Sequence, residues 1–115
     1  MAQNITVSTA DHVSIIEIAR PPANYFDRQL ISEIVDAAAE MHADGTRAIV
    51  LCSQGKHFCA GANFAQGEMD ADRARSSELL YREAVRLFDV PVPIIAAVQG
   101  SAVGGGLGLA CAADF

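Results

Sequence analysis

Ile5, Val7 and Thr9 alternate with polar neighbours, and Val13, Ile15, Ile16 and Ile18 follow the polar pair Asp11-His12. That pattern predicts two short strands joined by a tight turn. Arg20-Pro21-Pro22 ends the second strand, because proline has no N–H for the ladder. Asp27 stands where a helix N-cap belongs. After it Leu30, Ile31, Ile34, Val35, Ala38 and Met41 recur at helical spacing, with Ser32, Glu33, Asp36 and Glu40 between them. This predicts an amphipathic helix ending near Asp44-Gly45. Residues 48–52 form a continuous apolar run, expected to be a strand buried on both faces. Residues 53–67 lack periodicity and read as a loop. A second helix is predicted over 71–88, with Leu80, Ala84, Leu87 and Phe88 on one side, until Val90-Pro91-Val92-Pro93 breaks it. Residues 94–98 then read as a buried strand, 100–106 as a glycine-rich turn and 107–112 as a third helix. Alternation of strands and helices implies an α/β fold with largely parallel pairing and right-handed crossovers. At 115 residues the chain suffices for one small domain, and no repeat of fixed period is present.

Composition narrows the function classes. The chain is 51% hydrophobic and 19% charged, which argues against disorder. A net charge of −6, with Lys and Arg scattered, offers no patch for phosphates, so no nucleic-acid partner is expected. Residues 1–12 show no basic segment followed by an apolar one, and no signal peptide is read there. Cys52, Cys59 and Cys111 are odd in number and unevenly spaced, as expected of buried free thiols in a reducing compartment. These features together predict a cytoplasmic protein. Residues 94–113 carry no charge and have the length of a membrane span. Five glycines within that stretch, and Pro91, Pro93 and Asp114 around it, argue against one, so no membrane partner is expected.

Two glycine-containing segments follow buried strands: residues 57–63, HFCAGAN, and residues 100–106, GSAVGGG. Small residues there leave backbone N–H groups open to a ligand, and the second segment leads into a helix start that favours negative charge. Common phosphate and nucleophile devices are absent. Gly-x-Gly-x-x-Gly fails at Leu109, the Gly-x-x-x-x-Gly-Lys motif lacks its lysine, and no Gly-x-Ser-x-Gly elbow occurs. Each loop alone is equally well read as a tight turn.

The pair, in this order, resembles the enoyl-CoA hydratase/isomerase (crotonase) superfamily. HFCAGAN is similar to the family's F-x-A-G-A-D, and residues 98–114, VQGSAVGGGLGLACAAD, to its second signature of a strand, G-x-x-x-G-G-G and a helix. Residues 20–24, RPPAN, resemble its early substrate-side loop. The resemblance implies a crotonase-like β/β/α spiral, with residues 1–115 a single partial domain from its N-terminal portion. It implies an acyl-CoA thioester as substrate, with its enolate stabilised by the backbone N–H groups of Ala60 and Gly105. Ala23, Asn24, Gly61, Ala62, Asn63, Gly104 and Gly108 are expected beside the substrate. No metal or redox cofactor is implied, since coenzyme A arrives as part of the substrate, and a homotrimer or hexamer is expected. The reaction implied is hydration or isomerisation of an enoyl-CoA in fatty-acid or related metabolism.

The chain departs from the family pattern at two positions. Gly108 stands where hydratases usually carry a glutamate, and Asn63 where an aspartate is usual. A glycine cannot move a proton. Decarboxylation, hydrolysis or acyl-CoA binding without catalysis are therefore alternatives. Glu68, Asp70 and Asp72 are the acidic residues after the first loop and more often mark a solvated face. His57 and Cys59 lack the further ligands of a zinc site, and Cys59 lacks a base partner, so both are expected to pack the strand end. His12 and His42 read as turn and helix-surface residues.

Overall fold

The computed structural model describes residues 4–61 and 73–115. It opens on a hairpin of β1 (Ile5–Ala10) and β2 (Val13–Ile18), paired antiparallel with Ile5 opposite Ile18. Asp11 and His12 form the turn with φ of 53° and 69°. Two left-handed residues match the right-handed twist of the strands they join. Within β2, Ile16 and Ile18 are buried and Val13 and Ile15 exposed, which is the period-two reading of the sequence.

Helix α1 (Arg28–Ala43) crosses over the sheet to β3 (Ala48–Ser53), which lies parallel to β2 with Ile16 opposite Leu51. Asp27 caps it as predicted: its Oδ1 accepts from the Leu30 N–H at 2.9 Å, and its Oδ2 lies 3.1 Å from Arg20. Asp27→Ala is expected to cost about 1 kcal/mol of stability, from the lost cap, measured by thermal unfolding. An unchanged melting temperature would show the cap to be idle. Gly45, at φ +98°, ends the helix. Leu30, Ile31, Ile34, Val35, Ala38 and Met41 all face the core, against Ile16, Ile18, Ile49 and Leu51 of the sheet. Burial of one such large side chain contributes roughly 1.5–3 kcal/mol, which holds the helix down more firmly than its own propensity does.

Helix α2 (Arg73–Val85) tightens into a 3-10 turn (Arg86–Asp89), and β4 (Ile94–Ala96) pairs parallel to β3 with Ile49 opposite Ile94. The four-stranded sheet runs β1-β2-β3-β4. Helix α3 (Gly105–Cys111) follows, and the chain then returns to the outer edge of β4. There the Asp114 N–H donates to the Ile94 carbonyl at 2.8 Å, and the Ala96 N–H to the Phe115 carbonyl at 2.8 Å.

Several expectations are corrected. In β3 only Ile49 and Leu51 are fully buried, while Ala48, Val50 and Cys52 are half-buried, because helices cover one face of the sheet among the described residues. Phe88 is exposed while Leu87 is buried, since the 3-10 winding rotates Phe88 away from the α-helical stripe. Strand β4 stops at Ala96 rather than residue 98, and α3 starts at Gly105 rather than 107. All three cysteines are free, but only Cys59 is fully buried; Cys111 is exposed on the last turn of α3. No helix among the described residues is long and apolar enough to cross a membrane, and the uncharged stretch is divided between β4, a turn and α3.

Candidate functional site

The loops after β3 and β4 run side by side and are laced by backbone bonds. Phe58 N–H donates to Gln99 O at 2.9 Å, Cys59 N–H to Ser101 O at 3.1 Å, and Val103 N–H to Cys59 O at 3.1 Å. A parallel bridge joins Cys59 and Ala102. Side chains complete the lacing. Gln99 Nε2 reaches Ser53 O, Ser53 Oγ and Gly55 O at 3.0–3.1 Å. Ser101 N–H donates to His57 Nδ1 at 3.1 Å, so the neutral ring carries its proton on Nε2.

Two glycines make this contact possible. A Cβ on Gly100, at φ +61°, would stand 1.9 Å from the Lys56 carbonyl oxygen. One on the buried Gly106 would stand 2.0 Å from the Cys59 carbonyl oxygen. In both cases backbone meets backbone, and no rotamer can relieve it.

A third segment, residues 20–27, closes the arrangement. Asn24 holds it at φ +54°, a region that asparagine tolerates better than most residues. Its side chain is completely buried and fully bonded. Oδ1 accepts from Arg20 N–H at 2.9 Å, and Nδ2 donates to Gln54 O at 2.7 Å and His57 O at 2.8 Å. Asn24 therefore braces the loops from within. The next carbonyl, that of the half-buried Ala23, accepts from the Ala60 N–H at 3.0 Å. Ala60 is thus not an open donor here, contrary to what the sequence led us to expect. Phe26 N–H donates to the Gly61 carbonyl at 3.0 Å, and its ring packs on Gly105, where a Cβ would stand 1.8 Å from Cζ.

Of the remaining expected residues, Gly61 is buried against the Val103 carbonyl, while Gly104, Gly105 and Gly108 are exposed. The Gly105 N–H has no acceptor among the described residues. No atom lies within 4 Å of where a Cβ on Gly108 would stand. A helix-interior glycine with free space is a destabilising choice, so Gly108→Ala is expected to raise stability by about 0.5–1 kcal/mol, read from denaturant midpoints. A loss would reveal a contact not present in this structure. Ala62, Asn63, Glu68, Asp70 and Asp72 lie outside the described residues.

Chemically, the site presents main-chain polar groups. Burial pushes the Cys59 thiol up, and the N–H groups of Gly61 and Phe26 and the Arg20 charge offset this only in part. A thiol held protonated is a poor nucleophile. His57 and Cys59 do not form a pair: the ring binds Ser101, and the thiol is sealed in the core. Among the described residues no three His, Cys, Asp or Glu gather as a metal site. Sequence reasoning missed Phe26, Gln99 and the bracing role of Asn24. The signal for Asn24 was an asparagine in a proline-terminated turn, where its αL tolerance matters. Gln99 reaches a partner 46 positions away and carried no local signal.

Known proteins are similar to this chain in sequence and fold. The family model for enoyl-CoA hydratase/isomerase matches residues 8–115. A probable enoyl-CoA hydratase of Bacillus subtilis is 32% identical over 112 residues, covering 94% of this chain and 43% of the relative. The cyclohexa-1,5-dienecarbonyl-CoA hydratase of Thauera aromatica is 36% identical over 103 residues, covering 87% of this chain and 39% of the relative. The crystal structure of an enoyl-CoA hydratase subunit from Geobacillus kaustophilus superposes with a TM-score of 0.88 at 36% identity, over 98% of this chain and 45% of that one. The chain thus spans less than half the length of these relatives.

Proposed function

The chain belongs to the enoyl-CoA hydratase/isomerase family, and from that premise we propose that the protein binds an acyl-CoA thioester and stabilises its enolate with main-chain donors. Hydration or isomerisation of an enoyl-CoA, in fatty-acid or related acyl-CoA metabolism, is the reaction this reading favours. Adding water across the double bond, or removing an α-proton, places negative charge on the thioester oxygen. A fixed N–H aimed at that oxygen lowers the barrier without reorganising.

The observation that carries the reading is the N–H of the exposed Gly105, without an acceptor among the described residues and held by a backbone lacing that glycine alone permits. Ala60 contributes as a second donor only when its bond to the Ala23 carbonyl is given up. Otherwise the second donor falls to the stretch after Gly61, with Ala62 first. Gly104 and Ala23 then border the substrate. Coenzyme A enters as part of the substrate, and no metal is required. A cytoplasmic homotrimer or hexamer completes the reading.

Gly108 favours a second reading. With no side chain at this exposed position, proton transfer must come from elsewhere, or the site serves decarboxylation, hydrolysis or binding alone. An assay with 2-butenoyl-CoA separates the two. Decay of the conjugated thioester absorbance, with 3-hydroxybutyryl-CoA as product, supports hydration. Saturable binding of the same thioester without decay excludes hydration and leaves the second reading. Absence of both binding and turnover overturns the acyl-CoA reading itself.

A further inference from the structure

Phe26 grips both glycine loops at once, through different parts of itself. Its N–H donates to the Gly61 carbonyl at 3.0 Å. Its ring fills the space beside the Gly105 α-carbon, with Cζ 1.8 Å and Cε1 1.9 Å from where a Cβ would stand. Phe26 is 9% exposed and packs in the core cluster, whereas Gly105 is exposed. Phe26 itself has little freedom. Three residues earlier the Ala23 carbonyl holds Ala60, two residues earlier Asn24 is bonded to Arg20, Gln54 and His57, and the next residue, Asp27, caps α1.

We propose that Phe26 is the positioning residue of the oxyanion site, its backbone fixing the first loop and its ring setting how far Gly105 stands from it. The proposal rests on the enolate-stabilising reading given above. Phe26 touches no reacting atom; it acts through Gly105. It also gives Gly105 a second requirement for glycine besides an accessible N–H, since any side chain there meets a buried ring. A bulky apolar residue that merely filled the core would serve stability alone. Catalysis is sensitive to position on a finer scale than folding is, and that difference separates the two roles.

The test uses the full-length protein and 2-butenoyl-CoA. Phe26→Ala is expected to lower kcat roughly 10- to 100-fold while KM stays within about threefold. Phe26→Leu, which refills the space, is expected to recover most of the loss. Met41→Ala, a core truncation at the far end of α1, is the control for lost stability and is expected to keep kcat. Equal kcat in Phe26→Ala and wild type overturns the proposal, as does an equal loss in Met41→Ala at the same fraction folded. A reciprocal pair covers the case in which wild type does not turn over 2-butenoyl-CoA, which excludes hydration. Gly105→Ala should lower the melting temperature, and adding Phe26→Ala should return part of it. Strictly additive losses would show that the ring does not hold Gly105, and would overturn the proposal independently of any activity.

Discussion

Replacing the Gly105 amide by an ester, which deletes the N–H and leaves the rest of the residue, is expected to lower kcat for an enoyl-CoA roughly 100- to 1000-fold. The substitution is made by semisynthesis with glycolic acid in place of glycine. Proline would also remove the N–H, but its Cβ would stand 1.8 Å from the Phe26 ring, so lost activity could come from a displaced loop. The ester introduces no new atom there. Gly105 opens α3, and its N–H bonds to no carbonyl among the described residues. Circular dichroism and the melting temperature are therefore expected to hold. A loss of 100- to 1000-fold corresponds to roughly 3–4 kcal/mol of transition-state stabilisation, the worth of one donor fixed before the charge arrives. Turnover within a few-fold of wild type would mean that the thioester oxygen is held elsewhere.

Gly106→Ala is expected to cost about 3 kcal/mol or more of folding stability, measured by urea unfolding. The new Cβ would stand 2.0 Å from the Cys59 carbonyl oxygen and 2.8 Å from its carbon. That carbonyl cannot retreat freely, because it accepts from Val103 N–H, and the Cys59 N–H is committed to Ser101. The buried thiol and the buried Phe58 beside it leave no slack in the first loop either. Two positions along the same helix, Gly108→Ala should move stability the other way, since nothing stands within 4 Å. The contrast is a test of local space, because helix propensity rises equally in both variants. If Gly106→Ala unfolded at the wild-type midpoint, the close approach of the two loops would not exist in solution.

How much of this was readable from the residues depends on the distance over which each feature is decided. The hairpin and α1 are decided locally, by alternation, by helical spacing and by Asp27, and the structure agrees with the sequence on all three. Buried faces were harder. The run over 48–52 is apolar on both sides, yet only Ile49 and Leu51 are sealed, because the covering layer is a property of the whole sheet. Phe88 follows the helical stripe in sequence and leaves it in space, since the last turn winds more tightly. In the site, the pairing of the two glycine loops came from family resemblance, and no periodicity could have supplied it. The sequence does mark small residues as openings for a ligand. It does not distinguish Gly105, whose N–H is open, from Gly100 and Gly106, which are small so that two backbones can touch. Nor does anything near Ala60 reveal that a carbonyl 37 positions earlier occupies its N–H. The bracing role of Asn24 was hidden for the same reason, since its partners Gln54 and His57 lie 30 and 33 positions away.

The return of the chain to the edge of β4 bears on the helix that carries Gly105. Seven residues are too few for a helix to persist by its own hydrogen bonds. Helix α3 behaves instead as a beam clamped at both ends. One clamp is the bond from Val103 to Cys59. The other is the pair of bonds by which Asp114 and Phe115 hold the rim of the sheet, reinforced by Asp114 Oδ2, which accepts from Ile94 N–H at 2.9 Å. The direction in which the first peptide of α3 points is therefore set partly at its far end. A substitution at Ile94 or Asp114 is thereby expected to shift the Gly105 amide from the far end of its helix.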